Sequence, residues 1–129
     1  MQQGFEARDI DSMGLTTLPP DLLAQAQAEV KSVKVEPALF QYIVQIARRT
    51  RDWPSLSLGA SPRAAISLMV IVRAMAAMDA RDYIIPDDVK TAALPVLRHR
   101  VVLKPEADLE GLTSDLIISD ILKAVEVPK

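Results

Sequence analysis

The stretch Gly59-Ala60-Ser61-Pro62-Arg63 gathers the residue types that an anion site needs. Serine is a favoured N-cap, and proline fits the first helical position, where its missing N–H costs nothing. Arg63 then falls in the first turn of a helix, where the peptide dipoles already present partial positive charge. A cation there is unfavourable unless an anion is close. Free N–H groups beside a guanidinium suit the oxygens of a phosphate or carboxylate. Ser61, Pro62 and Arg63 are therefore the candidate binding residues. The plainer alternative makes Arg63 a surface arginine paired with a neighbouring carboxylate.

Other candidates are weaker. Arg48, Arg49 and Arg51 could form a phosphate or nucleic-acid patch, but such a cluster is more often a solvated helix end. Arg98-His99-Arg100 could meet a neighbouring subunit or a nucleotide; a cap on the preceding helix is the favoured reading. His99 is the only histidine and there is no cysteine, so disulfides, thiolate sites and histidine-rich metal clusters are excluded. Asp87 and Asp88 are explained by the dipole of the helix they open, without a metal. Met69, Met75 and Met78 read as core packing. Trp53 either anchors a linker or marks a contact surface. There is no Gly-Lys-Ser or Gly-Lys-Thr phosphate loop, and no Ser/His/Asp set stands out. No catalytic residue is assigned, and the chain alone is not equipped to run a reaction.

The 129 residues fit one domain, half of them apolar and a quarter charged. A net charge of −2 and a pI near 5.3 argue against a dedicated nucleic-acid binder. No signal peptide or membrane span is recognisable, and the expected compartment is the cytoplasm.

The elements that must position Arg63 follow from periodicity. Residues 1–17 read as an irregular lead-in, and 18–129 as one helical domain. Leu22 to Ala28 form a short helix, and Val33-Lys34-Val35 could be a very short strand. Pro37 opens a helix with Leu39, Phe40, Ile43, Val44, Ile46 and Ala47 on its apolar stripe; Trp53-Pro54 breaks it. Ser55 to Leu58 read as a linker. From Ala64 to Met78 only Ser67 and Arg73 are polar, so this central helix should be buried on most sides. After a turn and an extended piece, Pro86 opens a fourth helix that Pro95 should kink or end. Val101 to Leu103 are β-prone, Glu106 to Leu112 read as a polar loop, and Thr113 caps a last helix. The sum is an all-α bundle of five helices with at most one very short strand pair.

At Gly59-Ala60-Ser61-Pro62-Arg63-Ala64 the sequence resembles the C-terminal helical lid of MoxR-type AAA+ ATPases. The likeness continues through Arg81-Asp82-Tyr83, Pro86-Asp87-Asp88-Val89, Leu97-Arg98-His99-Arg100 and Pro105-Glu106-Ala107. Upstream it takes in Tyr42-Ile43-Val44, Thr50-Arg51 and Gly4-Phe5-Glu6-Ala7-Arg8-Asp9, the last resembling the segment that leads from ATPase core to lid. The resemblance implies that Arg63 is a sensor-2 residue contacting the terminal phosphates of ATP held by a separate core domain. The phosphate loop, magnesium-binding acidic motif, sensor-1 residue and arginine finger would lie in that core. It further implies ATP and Mg2+ for the parent but none bound by this part alone, a homo-hexamer, and a chaperone-like role in maturing complexes or metal cofactors. Partners with von Willebrand factor A domains are also implied. One departure is Ala80, where the family usually has glycine, so the turn could differ. The competing readings are a winged-helix-like DNA-binding module and a helical interaction domain with no nucleotide role.

Overall fold

Among the described residues, five of the six helices begin on proline, which sets φ for the first turn and gives up an N–H that no helix uses. In chain order, the elements are α1 (Pro20–Ser32), α2 (Pro37–Arg51), β1 (Leu56–Leu58), α3 (Pro62–Met78), α4 (Pro86–Leu97), β2 (Val102–Leu103), α5 (Pro105–Leu109) and α6 (Ser114–Ala124). The computed structural model describes Gly14 and residues 16–128. The Gly4–Asp9 likeness and most of the lead-in therefore lie outside the described residues. Only α6 begins without proline; the Thr113 hydroxyl instead accepts the Leu116 N–H at 3.2 Å.

Burial follows helical spacing. On α2 the buried residues are Leu39, Tyr42, Ile43, Ile46, Ala47 and Thr50. On α4 they include Val89, Ala92, Ala93, Val96 and Leu97, and on α6 Ile117, Ile118 and Ile121. These stripes close on the row Ala64, Leu68, Val72 and Ala76 of α3, all fully buried. The helix is thus central, but it is not covered all round. Ile66, Val70, Ile71 and Met78 are exposed, because α2, α4 and α1 leave one apolar flank of α3 bare. Helix α1 lies on α3 without burying any of its own residues.

Four local expectations change. Leu56–Leu58 is not a plain linker: it pairs antiparallel with β2, Leu56 opposite Leu103 and Leu58 opposite Val102. The short strand expected at Val33–Val35 is a single parallel bridge, Lys34 to Tyr83. Pro95 does not end α4, which runs on to Leu97; the proline sits on the exposed face of the last turn. Glu106–Leu112 is not all loop. Pro105 starts α5, Ala107 is buried beneath it, and Gly111 at φ 79° closes it. The closure is a Schellman motif: the Leu112 N–H reaches the Ala107 carbonyl at 3.1 Å, and the Gly111 N–H reaches that of Asp108 at 3.0 Å.

The same motif ends α3. The Arg81 N–H donates to the Ala76 carbonyl at 2.8 Å and the Ala80 N–H to that of Ala77 at 3.0 Å. Ala80 therefore takes the left-handed conformation, φ 56°. The turn is kept, not altered, and a Cβ is held where glycine would sit without strain. Ala80→Gly is expected to stabilise the domain by about 1 kcal/mol and raise Tm by roughly 4 °C, read by thermal unfolding.

That turn delivers Arg81 to Asp88. The guanidinium donates to both Asp88 carboxylate oxygens, at 2.7 and 2.9 Å, and also to Asp79 at 3.0 Å and the Tyr83 carbonyl at 3.1 Å. Asp88 is buried and also accepts the Ile85 N–H at 2.9 Å, capping α4. Burial pushes its carboxyl up, but the Arg81 hydrogen bonds, the Ile85 N–H and the Arg81 charge outweigh that and hold it below the ordinary 3.8. A depressed carboxylate contributes stability that is complete above its unfolded pKa and is lost as pH falls through the folded one. Below about pH 4 the parent chain should lose stability more steeply than Asp88→Asn, as read by urea unfolding across acid pH.

Candidate functional site

The first turn of α3 is placed by the end of α2. Thr50 falls on the buried stripe of α2, and its hydroxyl donates to the Ala47 carbonyl at 2.7 Å. The same oxygen accepts the Ala60 N–H at 2.8 Å, while Arg51 Nε donates to the Ala60 carbonyl at 2.9 Å. Both polar groups of Ala60 are thus held by α2 side chains. Gly59 passes so close that a Cβ there would lie 2.6 Å from Arg51 Cα and N. The glycine is needed for approach. The segment before α3 is stitched to α2 and cannot swing freely.

On this base the three predicted residues sit side by side at an exposed corner. Ser61 occupies the N-cap position with extended backbone, φ −73° and ψ 164°, and Pro62 is the first helical residue. The Ser61 hydroxyl makes no capping hydrogen bond, contrary to what its type suggests. Arg63 is exposed, and no carboxylate among the described residues pairs with it. The plainer alternative, an arginine neutralised by a neighbour, finds no such neighbour among the described residues. An uncapped first turn with a free guanidinium is chemically suited to an oxyanion.

Several other arginines have structural tasks. Arg49 lies over the Trp53 ring, 5.7 Å from its centroid, and Trp53 packs against the core, so this tryptophan anchors the connection after α2. Arg98 pairs with Asp115 at the start of α6 at 3.0 Å, and Arg100 Nε donates to His99 Nε2 at 3.3 Å. Asp87 pairs with Lys90 at 3.1 Å. No group of three or more His, Asp or Glu among the described residues is arranged to hold a metal ion. No helix of the described residues is long and apolar enough to cross a membrane.

Thr50 and Arg51 are the positioning residues that composition did not reveal. Arg51 reads as one of several helix-end cations. The available signal was Thr50, a hydroxyl recurring at the helical spacing of Leu39, Tyr42, Ile43, Ile46 and Ala47. A polar group on a buried stripe needs a partner, and the Ala60 N–H is that partner.

Comparison with known proteins identifies the domain. The family model for the AAA lid domain matches residues 48–121, from the end of α2 into α6. The chain is 44% identical over 102 residues to the Bacillus subtilis protein YeaC, covering 79% of this chain and 32% of that protein. It is 34% identical over 104 residues to the chaperone MoxR1 of Mycobacterium tuberculosis, covering 74% and 28%. A crystal structure of a Cytophaga hutchinsonii protein regarded as an ATPase superposes with a TM-score of 0.75 at 35% identity, covering 79% of this chain and 34% of that one. The chain spans about a third of the length of these relatives.

Proposed function

Because the chain belongs to the AAA lid domain family, in its MoxR-type branch, we propose that Arg63 acts as a phosphate sensor that couples the nucleotide state of an ATPase core to lid position. The observation that carries this reading is the exposed Arg63, unpaired among the described residues, on an uncapped first turn that α2 holds rigid. Its guanidinium would meet the terminal phosphate oxygens of ATP through charge-assisted hydrogen bonds. Ser61 and the N–H groups after Pro62 would flank them. The core domain of the same parent chain would supply the remaining nucleotide contacts and the Mg2+ site. When bound, Mg2+ would neutralise phosphate charge there.

The coupling follows from rigidity. Arg63 cannot shift without moving α3, and the buried row of α3 is the centre of the bundle. An oxyanion gained or lost at Arg63 therefore acts on the whole lid, which suits a switch that closes on triphosphate and loosens on hydrolysis. We place the parent among chaperone-like machines acting on protein complexes or metal cofactors, working in the cytoplasm as a homo-hexamer, with von Willebrand factor A domain proteins as partners. The chaperone part of that placement rests on the relative named chaperone MoxR1, and the rest on the resemblance of the Gly59–Ala64 motif to the MoxR-type lid. The test is nucleotide affinity and ATP turnover of the intact ATPase carrying Arg63→Ala. Loss of either supports the sensor reading; unchanged values for both overturn it.

A further inference from the structure

Helix α1 packs on α3 yet buries none of its own residues. Between the two helices lies a cleft of about 440 Å³. Gln27, Val30 and Lys31 of α1 line one side, and Val70 and Arg73 of α3 the other. The spacing explains the match. Residues 27, 30 and 31 stand three and four apart and share one face of α1, as 70 and 73 do on α3. A concave site of this size, largely apolar with a few polar groups, fits a small organic molecule.

Its charge is one-sided. Lys31 and Arg73 line the cleft and no carboxylate does. Neither cation is in an ion pair among the described residues. Arg73 is half-buried, and its Nε is buried without a hydrogen-bond partner. A guanidinium that has lost water without gaining an acceptor gains more from a nearby anion than a fully solvated one. The carbonyl end of α1 is occupied elsewhere. The Ser32 hydroxyl donates to the Glu29 carbonyl at 2.7 Å, and the Val33 N–H to that of Val30 at 3.4 Å. The Glu29 position lies across α1 from Gln27, two residues or about 200° round the helix.

We propose that the α1–α3 cleft binds an aliphatic carboxylate, its head between Lys31 and Arg73 and its hydrocarbon stem along Val30 and Val70, and that this ligand pins α1 to the bundle. The head relieves the repulsion of two cations on facing helices. Buried Val33 and the Lys34 bridge to Tyr83 already fix the end of α1. The ligand adds a hold along the face that otherwise rests on α3 without burial. Neither Pro62 nor Arg63 lines this cleft. Arg73 stands ten residues beyond Arg63 in α3, about 15 Å along the helix axis. The site is separate from the phosphate contact and does not rest on that reading.

The test is a titration of the full chain with hexanoate, acetate and inorganic phosphate, each followed by amide and arginine Nε resonances. Hexanoate should give saturable shifts at Gln27, Lys31 and Arg73 in the millimolar range. It should bind at least about tenfold tighter than acetate, since each buried methylene is worth about fourfold. Phosphate, which has no stem, should bind more weakly than hexanoate. Lys31→Gln, at an exposed position, and Arg73→Gln should each weaken hexanoate at least about tenfold, with circular dichroism as the check on folding. Arg48→Gln, on α2, should leave the affinity unchanged. Saturating hexanoate should slow hydrogen exchange of the α1 amides at least about threefold, because it binds only the docked helix. Absence of saturable shifts overturns the proposal. So does affinity that survives Lys31→Gln and Arg73→Gln, phosphate binding as tightly as hexanoate, or α1 exchange unchanged at saturation.

Discussion

Replacing Arg63 by alanine in the intact ATPase is expected to lower ATP turnover about a hundredfold, the usual effect of deleting one preorganised donor to a developing charge. That corresponds to about 2.7 kcal/mol of transition-state stabilisation. The isolated domain should keep its stability, because Arg63 is exposed and pairs with no described carboxylate. Arg63→Lys should recover only part of the loss. Lysine restores the charge but not the planar fork that takes two phosphate oxygens at once. Steady-state ATPase assays at saturating nucleotide, with thermal unfolding of the same variants, separate this from a folding defect. Equal turnover and equal nucleotide affinity in the alanine variant and the parent would remove Arg63 from the mechanism.

Gly59→Ala should be the most damaging single methyl in the chain. Its Cβ would stand 2.6 Å from Arg51 Cα and N and 2.7 Å from the Thr50 carbonyl carbon, all backbone atoms that cannot rotate aside. Overpacking of this kind costs about 3 kcal/mol, a large share of the 5–15 kcal/mol that holds a typical domain together. Relief requires the start of α3 to move off α2, which would also break the Ala60 bonds to Thr50 and Arg51. The thermal midpoint should fall by roughly 10 °C or more. In the intact ATPase, nucleotide response should fall with it, because Arg63 lies four residues beyond the displaced glycine. A midpoint within about 2 °C of the parent would show that the close approach can relax without cost.

Element boundaries were unusually legible here because proline marks them. Pro20, Pro37, Pro62, Pro86 and Pro105 each begin a helix, and the fixed φ and absent N–H act without help from tertiary packing. Apolar spacing in α2, α4 and α6 likewise identified the buried stripes. Helix α5 could have been read the same way, from Pro105 at its start and Gly111 just past its end. Pro95 misled as a stop signal. It falls in the last turn on the exposed side, where the lost bond is at the solvent face and the helix continues to Leu97.

What the residue order determined by itself is the chemistry available: where helices start, which stripes seek a core, and that Arg63 follows a serine and a proline at a helix mouth. What only the tertiary structure decided is which of these features are already satisfied. A uniformly apolar α3 was compatible with burial on every side, yet its neighbours cover one row and leave a flank bare. Several arginines looked alike, yet Arg51, Arg81 and Arg98 are engaged by a carbonyl or carboxylates, while Arg63 is left facing outward. Local sequence sets backbone preference and side-chain type. Pairing and coverage depend on which residues distant in the chain arrive alongside, and only the packed fold fixes that.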